Sequence, residues 1–141
     1  MNVAVIQTRF GGAPTQSDIL TFAMADFVPS FQTVNSETAA DSLKAHDVAI
    51  VHFWHPGNRQ DRTMDSNLVQ IQNQLPDSAI CLSCDLGDSS CFEFAVSHKV
   101  YMVPWLAVFV GEQHVGDIRG VHEPEELKRE LIELIANGDP A

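Results

Sequence analysis

Three cysteines are the most reactive side chains of this sequence, and Cys81 and Cys84 have the Cys-x-x-Cys spacing of dithiol sites. That spacing supports redox chemistry where it opens a helix, because the helix N-terminus lowers the pKa of the thiol. Here it falls in a predicted strand, where residues three apart point to opposite faces of a sheet. The two thiols are therefore interpreted as small buried apolar groups. An atypical thiol–disulfide oxidoreductase that uses Cys81, Cys84 or Cys91 stays open as an alternative. Cys84 and Cys91 could form its redox pair, since Cys91 lies near a predicted helix start and is expected to be partly exposed.

Two histidines, His52 and His55, have a spacing that suggests a shared metal ion. His52 lies inside a predicted strand and His55 directly after it, so such an ion would need a turn between them and further ligands. No cysteines or carboxylates at suitable spacing complete a zinc set. Neither a nucleophilic triad nor a phosphate-binding glycine loop is found. The sequence therefore predicts no metal, no cofactor and no catalytic residue.

Predicted strands alternate with predicted helices along the chain, and these elements must position the residues named above. The run 48–54 is almost continuously apolar, as expected of a central strand buried on both faces. From residue 31 the predicted order is β-α-β-α-β-α-β-β-α, which indicates one α/β domain with a central mixed sheet flanked by helices. Residues 1–30 add an N-terminal β-α extension to this core of 31–137. Predicted strands cover 31–34, 48–54, 79–86, 101–110 and 114–119, and predicted helices begin after Ser36, after Gly57, at Asp88 or Ser89, and at Pro124.

Composition limits the classes of partner. The formal net charge of −11 disfavours nucleic acid and anionic membranes, both of which require clustered Lys and Arg. The first residues lack the basic region of a secretory signal, and no apolar run approaches the ~20 residues of a membrane span. A cytoplasmic protein that binds a protein or peptide, with a preference for a basic segment, is the expectation.

The order of elements resembles thioredoxin, and several residues agree with that family over about 31–137. Residues 51–54 match the strand that ends in Phe-Trp before the family's active site. Val103-Pro104 matches the segment in which the family carries a cis-proline. Gly111-Glu112 matches the hairpin turn, and Gly120 matches the glycine that follows the last strand. The resemblance implies a thioredoxin-like fold.

Departures from that family are concentrated at the active site. The two cysteine positions, four and seven residues after Trp54, hold Asn58 and Asp61. His52 stands where the family has a buried acid, and Trp105 where a small residue usually follows the proline. Thiol–disulfide exchange requires a thiolate, so the departures from the family imply a protein that is not an ordinary dithiol oxidoreductase. They favour a protein without enzyme activity.

A thioredoxin-like protein that lacks the active-site cysteines still has the peptide-binding groove of the family. In the family, the residue before the cis-proline offers backbone hydrogen bonds to an extended chain, which is a form of strand addition. The resemblance thus implies a redox-inactive chaperone or assembly factor. The residues assigned to this groove are Trp54, Pro56, Asn58, Asp61, Val103, Pro104 and Trp105.

A second resemblance, to bacterial hydrogenase-maturation chaperones of this fold, rests on shorter segments. Gly120-Val121-His122 with Glu126-Leu127 is similar to a Gly-x-His segment with a downstream Glu-Leu in that family. The segment from Asn67 through Asp77, which ends in Leu75-Pro76-Asp77, is also similar. This resemblance implies binding of a basic twin-arginine leader peptide, which suits an acidic protein.

A scaffold or homodimer built through residues 1–30 is a further alternative. Phe10, Phe22 and Phe27 in that segment must pack against an apolar surface. The preferred interpretation is that they cover the domain's own core.

Overall fold

The protein is described by a computed structural model, which covers residues 27–138. Most of the predicted N-terminal extension, including Phe10 and Phe22, lies outside the described residues. Five strands form one mixed sheet, as the sequence predicts, and their order in the sheet is β1-β3-β2-β4-β5. The central strand pairs in parallel with β3 and antiparallel with β4. The strands are β1 (Gln32–Thr33), β2 (Val48–Trp54), β3 (Ala79–Asp85), β4 (Trp105–Val110) and β5 (Gln113–Arg119).

Helices cover both faces of this sheet. They are α1 (Ala39–Ala45), α2 (Arg59–Ile71), α3 (Ser89–Ser97) and α4 (Pro124–Gly138), and a short 3₁₀ turn, Gln72–Gln74, follows α2. Side chains alternate along β2, so Val51 packs toward α1 and α3 whereas Ile50 packs toward α2 and α4. All seven residues of β2 are buried, which confirms the prediction of a central strand covered on both sides.

The hairpin between β4 and β5 turns at Gly111-Glu112, as predicted. Both residues have positive φ, 55° and 71°, which is the requirement of the type I′ turn that suits two twisted antiparallel strands. Glycine adopts this conformation without steric cost, and Glu112 accepts it as the second turn residue. The turn pairs Val110 with Gln113, and a register shift between Val108 and Phe109 then places Trp105 opposite Arg119.

Two predicted boundaries are wrong. The strand predicted over 101–110 begins only at Trp105, because 102–104 form bends before the sheet and Pro104 has no N–H to donate to a ladder. The helix expected after a Ser36 cap begins at Ala39 instead. Ser36 donates its hydroxyl to the Ser90 carbonyl, so tertiary contact with α3 takes the group that local capping would have used.

Within residues 27–138, none of the helices has the length and apolar character needed to cross a lipid bilayer.

Candidate functional site

The loop between β2 and α2 forms one side of the site, and its own hydrogen bonds define it. The Gly57 N–H donates to His55 Nδ1 at 3.2 Å, and the Asn58 N–H donates to the His55 carbonyl at 3.0 Å. Asn58 is the N-cap of α2, since its Oδ1 accepts from the Gln60 N–H at 2.9 Å. A tight turn followed by a capped helix therefore places Asn58 and Asp61 at the end of the central strand.

His52 and Asp61 are direct partners in the protein interior. His52 Nε2 lies 3.1 Å from Asp61 Oδ1, and both side chains are fully buried. The other oxygen of Asp61 accepts the His55 N–H at 3.0 Å, so the same carboxylate also anchors the loop. The two positions that the resemblance assigns to the buried acid and the second cysteine thus contact each other. A carboxylate held this way supports the loop and has no exposed surface to offer a peptide.

Further polar atoms are buried beside this pair. Ser83 is the partner of His52 in the parallel ladder, so both side chains lie on the same face of the sheet. His52 Nδ1 and Ser83 Oγ are buried, and neither has a hydrogen-bond partner among residues 27–138. His52 is fully buried because α2 lies across this end of β2.

The other side of the site is the segment before β4. The Val103–Pro104 peptide bond is cis, as the resemblance implies. Asn58 Nδ2 donates to the Val103 carbonyl at 3.3 Å, which links the α2 cap to this segment. Between them lies an open groove of about 540 Å³, lined by His55, Gly57, Asn58, Arg59, Gln60 and Val103.

The seven residues assigned to the groove do not all reach it. Asn58 and Val103 line it together, Pro56 is half-buried in the adjoining loop, and Pro104 is buried. Trp54 is also buried, and its ring lies 4.9 Å edge-on from the ring of Phe27. This contact agrees with the interpretation that Phe27 covers the domain's own core.

Trp105, which was expected to reshape the groove, is buried in the core under α1 and α3. Its Nε1 donates to Asp117 Oδ1 at 2.8 Å, and the Arg119 guanidinium lies 4.8 Å above its ring. It borders a separate cavity of about 670 Å³ that includes the exposed Tyr101 and Met102. Alternation along β4 decides this placement. The neighbouring Leu106 faces α2 and α4, so Trp105 faces α1 and α3.

The cysteines are on two faces of the sheet, as expected from their spacing. Cys81 packs against the core under α2 and α4, whereas Cys84 belongs to the core under α1 and α3. The expectation that Cys91 is partly exposed is wrong, since only 3% of it is accessible. Its thiol donates to the carbonyl of Val34 at 3.1 Å. Val34 lies in the segment before α1, which is far from Cys91 in the sequence but packs against it in the fold.

Burial makes these thiols poor nucleophiles. It raises the pKa of Cys81 to about 12, with a smaller contribution from Asp65. It also raises the pKa of Cys84 and of Cys91, although the Cys84 thiol partly offsets the effect on Cys91. Cys84 Sγ lies 4.0 Å from the Cys91 carbonyl, so these two residues are neighbours. All three cysteines are free.

The suggested histidine pair does not converge on an ion, since His52 faces Asp61 in the interior and His55 is exposed. A different group does converge: ligand atoms of His122, Glu126 and Glu130 lie within 4.8 Å of one another. Burial alone would lower the pKa of His122, but Glu126, the Arg119 carbonyl and Glu130 outweigh it and raise that pKa. The regular spacing of four residues between His122, Glu126 and Glu130 is the sequence signal for this cluster, which was not among the predicted sites.

The chain matches no profile of a known protein family. It is 26% identical to human glutaredoxin-3 over 87 residues, which cover 62% of this chain and 25% of that protein. The chain therefore spans about a quarter of the length of that relative.

Solved structures share the architecture more extensively. A mutant thioredoxin from Halobacterium salinarum NRC-1 superposes with a TM-score of 0.64 at 18% identity, covering 74% of this chain and 89% of that one. A chain from a study of the thiol resolving mechanism in yeast mitochondrial 1-Cys peroxiredoxin gives 0.63 at 19% identity, covering 74% and 95%. Together with the observed sheet order, these likenesses show that the chain has a thioredoxin-like fold.

Proposed function

We propose that this chain is a redox-inactive thioredoxin-like protein that holds an extended protein segment in the groove beside Pro104, as a chaperone or assembly factor. The observation that carries the proposal is the buried contact between His52 and Asp61. It joins the positions of the buried acid and the second cysteine in a hydrogen bond that has no role in disulfide exchange. Asn58, at the first cysteine position, is a helix cap and equally lacks a thiol.

The backbone of Val103 supports strand addition as the binding mode. Its N–H donates no backbone hydrogen bond within residues 27–138. Its carbonyl accepts only a long contact of 3.3 Å from Asn58, which an incoming N–H can replace. An extended segment would then gain main-chain hydrogen bonds to Val103 while its side chains meet His55 and Gln60.

Charge supports a basic segment as the occupant. The chain carries 19 acidic and 8 basic residues, so its net negative charge attracts a cationic peptide and raises the rate of association. An acidic peptide would be repelled by the same charge. The twin-arginine leader of a hydrogenase subunit fits this description, and the similarity around His122 and Leu75 motivates testing it first.

Amide NMR shifts of the full chain test both the groove and its occupant. We expect a synthetic twin-arginine leader peptide to shift the amides of Val103, Gly57 and Gln60, and a version with both arginines replaced by glutamine to bind more weakly. Asn58→Ala frees the Val103 carbonyl and should tighten binding, whereas Gln113→Ala on β5 should have no effect. Shifts confined to Tyr101 and Met102, or no shift with any extended peptide, would overturn the groove assignment.

A thiol–disulfide oxidoreductase that uses Cys84 and Cys91 is the second candidate, favoured by their proximity. Insulin reduction with dithiothreitol separates the two functions. The chaperone proposal requires the uncatalysed rate in the wild type. Catalysis that disappears in Cys84→Ala but persists in Cys81→Ala would establish the redox function instead.

A further inference from the structure

His122 and two glutamates of α4 form a compact side-chain cluster outside the groove. His122 Nδ1 lies 2.8 Å from Glu126 Oε1 and 2.9 Å from Glu130 Oε2. The glutamates are one helical turn apart, so both point from the same side of α4. The histidine comes from the loop between β5 and α4, and the three side chains are 22%, 49% and 36% exposed. The cluster is therefore assembled from two elements and remains accessible to a small ion.

The histidine ring is oriented from outside the cluster. Its Nε2 lies 3.0 Å from the Arg119 carbonyl, which can only accept, so Nε2 carries a proton. Asn67 of α2 donates to the His122 carbonyl at 2.9 Å and holds the loop in place. A backbone carbonyl that binds one ring nitrogen and aims the other is the arrangement that orients histidine ligands in metal sites.

Two carboxylate oxygens converge on one ring nitrogen, so a cation placed between the three atoms is attracted by both anions. In a neutral ring with its proton on Nε2, the Nδ1 lone pair would face both anions. A proton on Nδ1 is directed at Glu126, with which it makes a hydrogen bond. Glu130 Oε2 is close to Nδ1 but buried, and it has no hydrogen-bond donor among residues 27–138. A single proton thus satisfies one carboxylate, whereas a cation bound by all three groups satisfies both.

We propose that His122, Glu126 and Glu130 bind a divalent transition-metal cation, for which Zn²⁺ is the probe. One imidazole nitrogen with two carboxylate oxygens is a donor set that Zn²⁺ accepts, and three protein ligands leave a coordination position for water or a further ligand. Mg²⁺ prefers an all-oxygen octahedron and is expected to compete poorly. The bound ion links the loop after β5 to the first turns of α4.

Calorimetric titration of Zn²⁺ into the chelator-treated full chain tests this site. We expect one ion per chain, with affinity at least about tenfold weaker in His122→Ala and in Glu130→Gln. Glu130→Gln keeps the size of the side chain and so separates ligand loss from unfolding. Glu125→Gln is the matched control, since that carboxylate is 81% exposed and pairs with Lys128.

Two further measurements identify the ligands. Co²⁺ should give the weak visible absorption of nitrogen and oxygen ligands, without the strong near-ultraviolet band of thiolate coordination. Nitrogen NMR of the imidazole should show the His122 Nδ1 resonance moving when Zn²⁺ is added. Absence of Zn²⁺ binding, binding unaffected by both His122→Ala and Glu130→Gln, or a thiolate band lost in Cys81→Ala would overturn the assignment.

Discussion

The face of the sheet under α2 and α4 combines an aliphatic core with buried polar side chains, whereas the face under α1 and α3 buries aromatic rings and two thiols. Both faces lie on the same strands, and alternation along β2 and β3 sends neighbouring residues to opposite sides. The polar set is His52, Asp61, Asp65, Asn67 and Ser83, and the other face holds Phe53, Phe94, Phe109, Cys84 and Cys91.

This contrast separates the buried acid–base groups from Cys84 and Cys91, whereas Cys81 packs on the same face as His52. The end of the sheet beside the groove has an imidazole and a carboxylate where the resemblance implies an acid and a thiol. The sulfur atoms of Cys84 and Cys91 lie instead in an apolar core, where burial keeps them protonated. The difference indicates that Cys84 and Cys91 pack as small apolar groups. It agrees with the proposal that the groove binds a peptide without a thiol.

The largest expected effect concerns thiol reactivity. With a pKa of about 12, Cys81 has about a thousandfold less thiolate at pH 8 than it would at its ordinary pKa of 9.0. Labelling of the native protein with a disulfide reagent should be slower by a similar factor than labelling in urea. Because the pKa of Cys81 is higher in the folded than in the unfolded chain, its contribution to stability is fully present below pH 9.0 and is lost as pH rises from 9.0 toward about 12. Rapid native labelling of Cys84 or Cys91 would contradict the contrast.

Removal of Asp61 is expected to have the next largest effect. Asp61→Ala leaves His52 buried without its partner and the His55 N–H without an acceptor. We expect the free energy of unfolding, measured with urea, to fall by about 3 kcal/mol. Glu125→Ala, an exposed acid on α4, should change it by less than about 0.5 kcal/mol.

The double variant His52→Leu with Asp61→Leu sharpens this result. Replacing both members of a buried pair by apolar groups removes the unpaired polar atom, so part of the lost stability should return. Equal instability of the single and double variants would show that loop anchoring by Asp61, rather than the contact with His52, dominates.

The two helix caps provide a smaller, matched comparison. Asn58→Ala removes the cap of α2 and should cost about 1 kcal/mol in urea denaturation. Asp88 caps α3 in the same way, accepting the Ser90 N–H at 2.9 Å, but lies away from Val103. Peptide affinity should therefore change in Asn58→Ala and stay constant in Asp88→Ala. Equal changes in both variants would assign the effect to general destabilisation.

The smallest expected effect is at Ser83. Its hydroxyl is buried without a partner among residues 27–138, so Ser83→Ala should leave stability unchanged or raise it by up to about 1 kcal/mol. Ser97→Ala is the control on the other face, because that hydroxyl donates to the Phe94 carbonyl at 2.7 Å and its loss should destabilise. A clear loss of stability in Ser83→Ala would reveal a hydrogen-bond network around His52.

Local patterns in the sequence were sufficient for the order of elements. Continuous apolarity identified β2, Gly111-Glu112 identified the hairpin turn, and Pro124 identified the start of α4. These signals depend on burial and turn chemistry within a few residues, which is why they could be recognised without a structure. The predicted start of β4 was wrong because an apolar run does not distinguish a strand from the bends that precede it.

The candidate site was only partly predictable. Asn58, Asp61 and Val103 were identified by position, and Asn58 and Val103 line the groove. The contact between His52 and Asp61 joins a strand to a helix across a tight loop, and spacing alone does not reveal which side chain turns inward. Trp105 was assigned to the groove from its neighbour Pro104, but strand alternation sends its ring into the core.

By itself, the sequence determined the thioredoxin-like succession of elements and the identities of the residues at the active-site positions. Tertiary structure alone decided that Asp61 pairs with His52, that Cys91 is buried, and that His122 meets two glutamates of α4. Periodicity and turn chemistry act between near neighbours, whereas a side chain's partner and burial depend on segments brought together only when the sheet and its helices have packed.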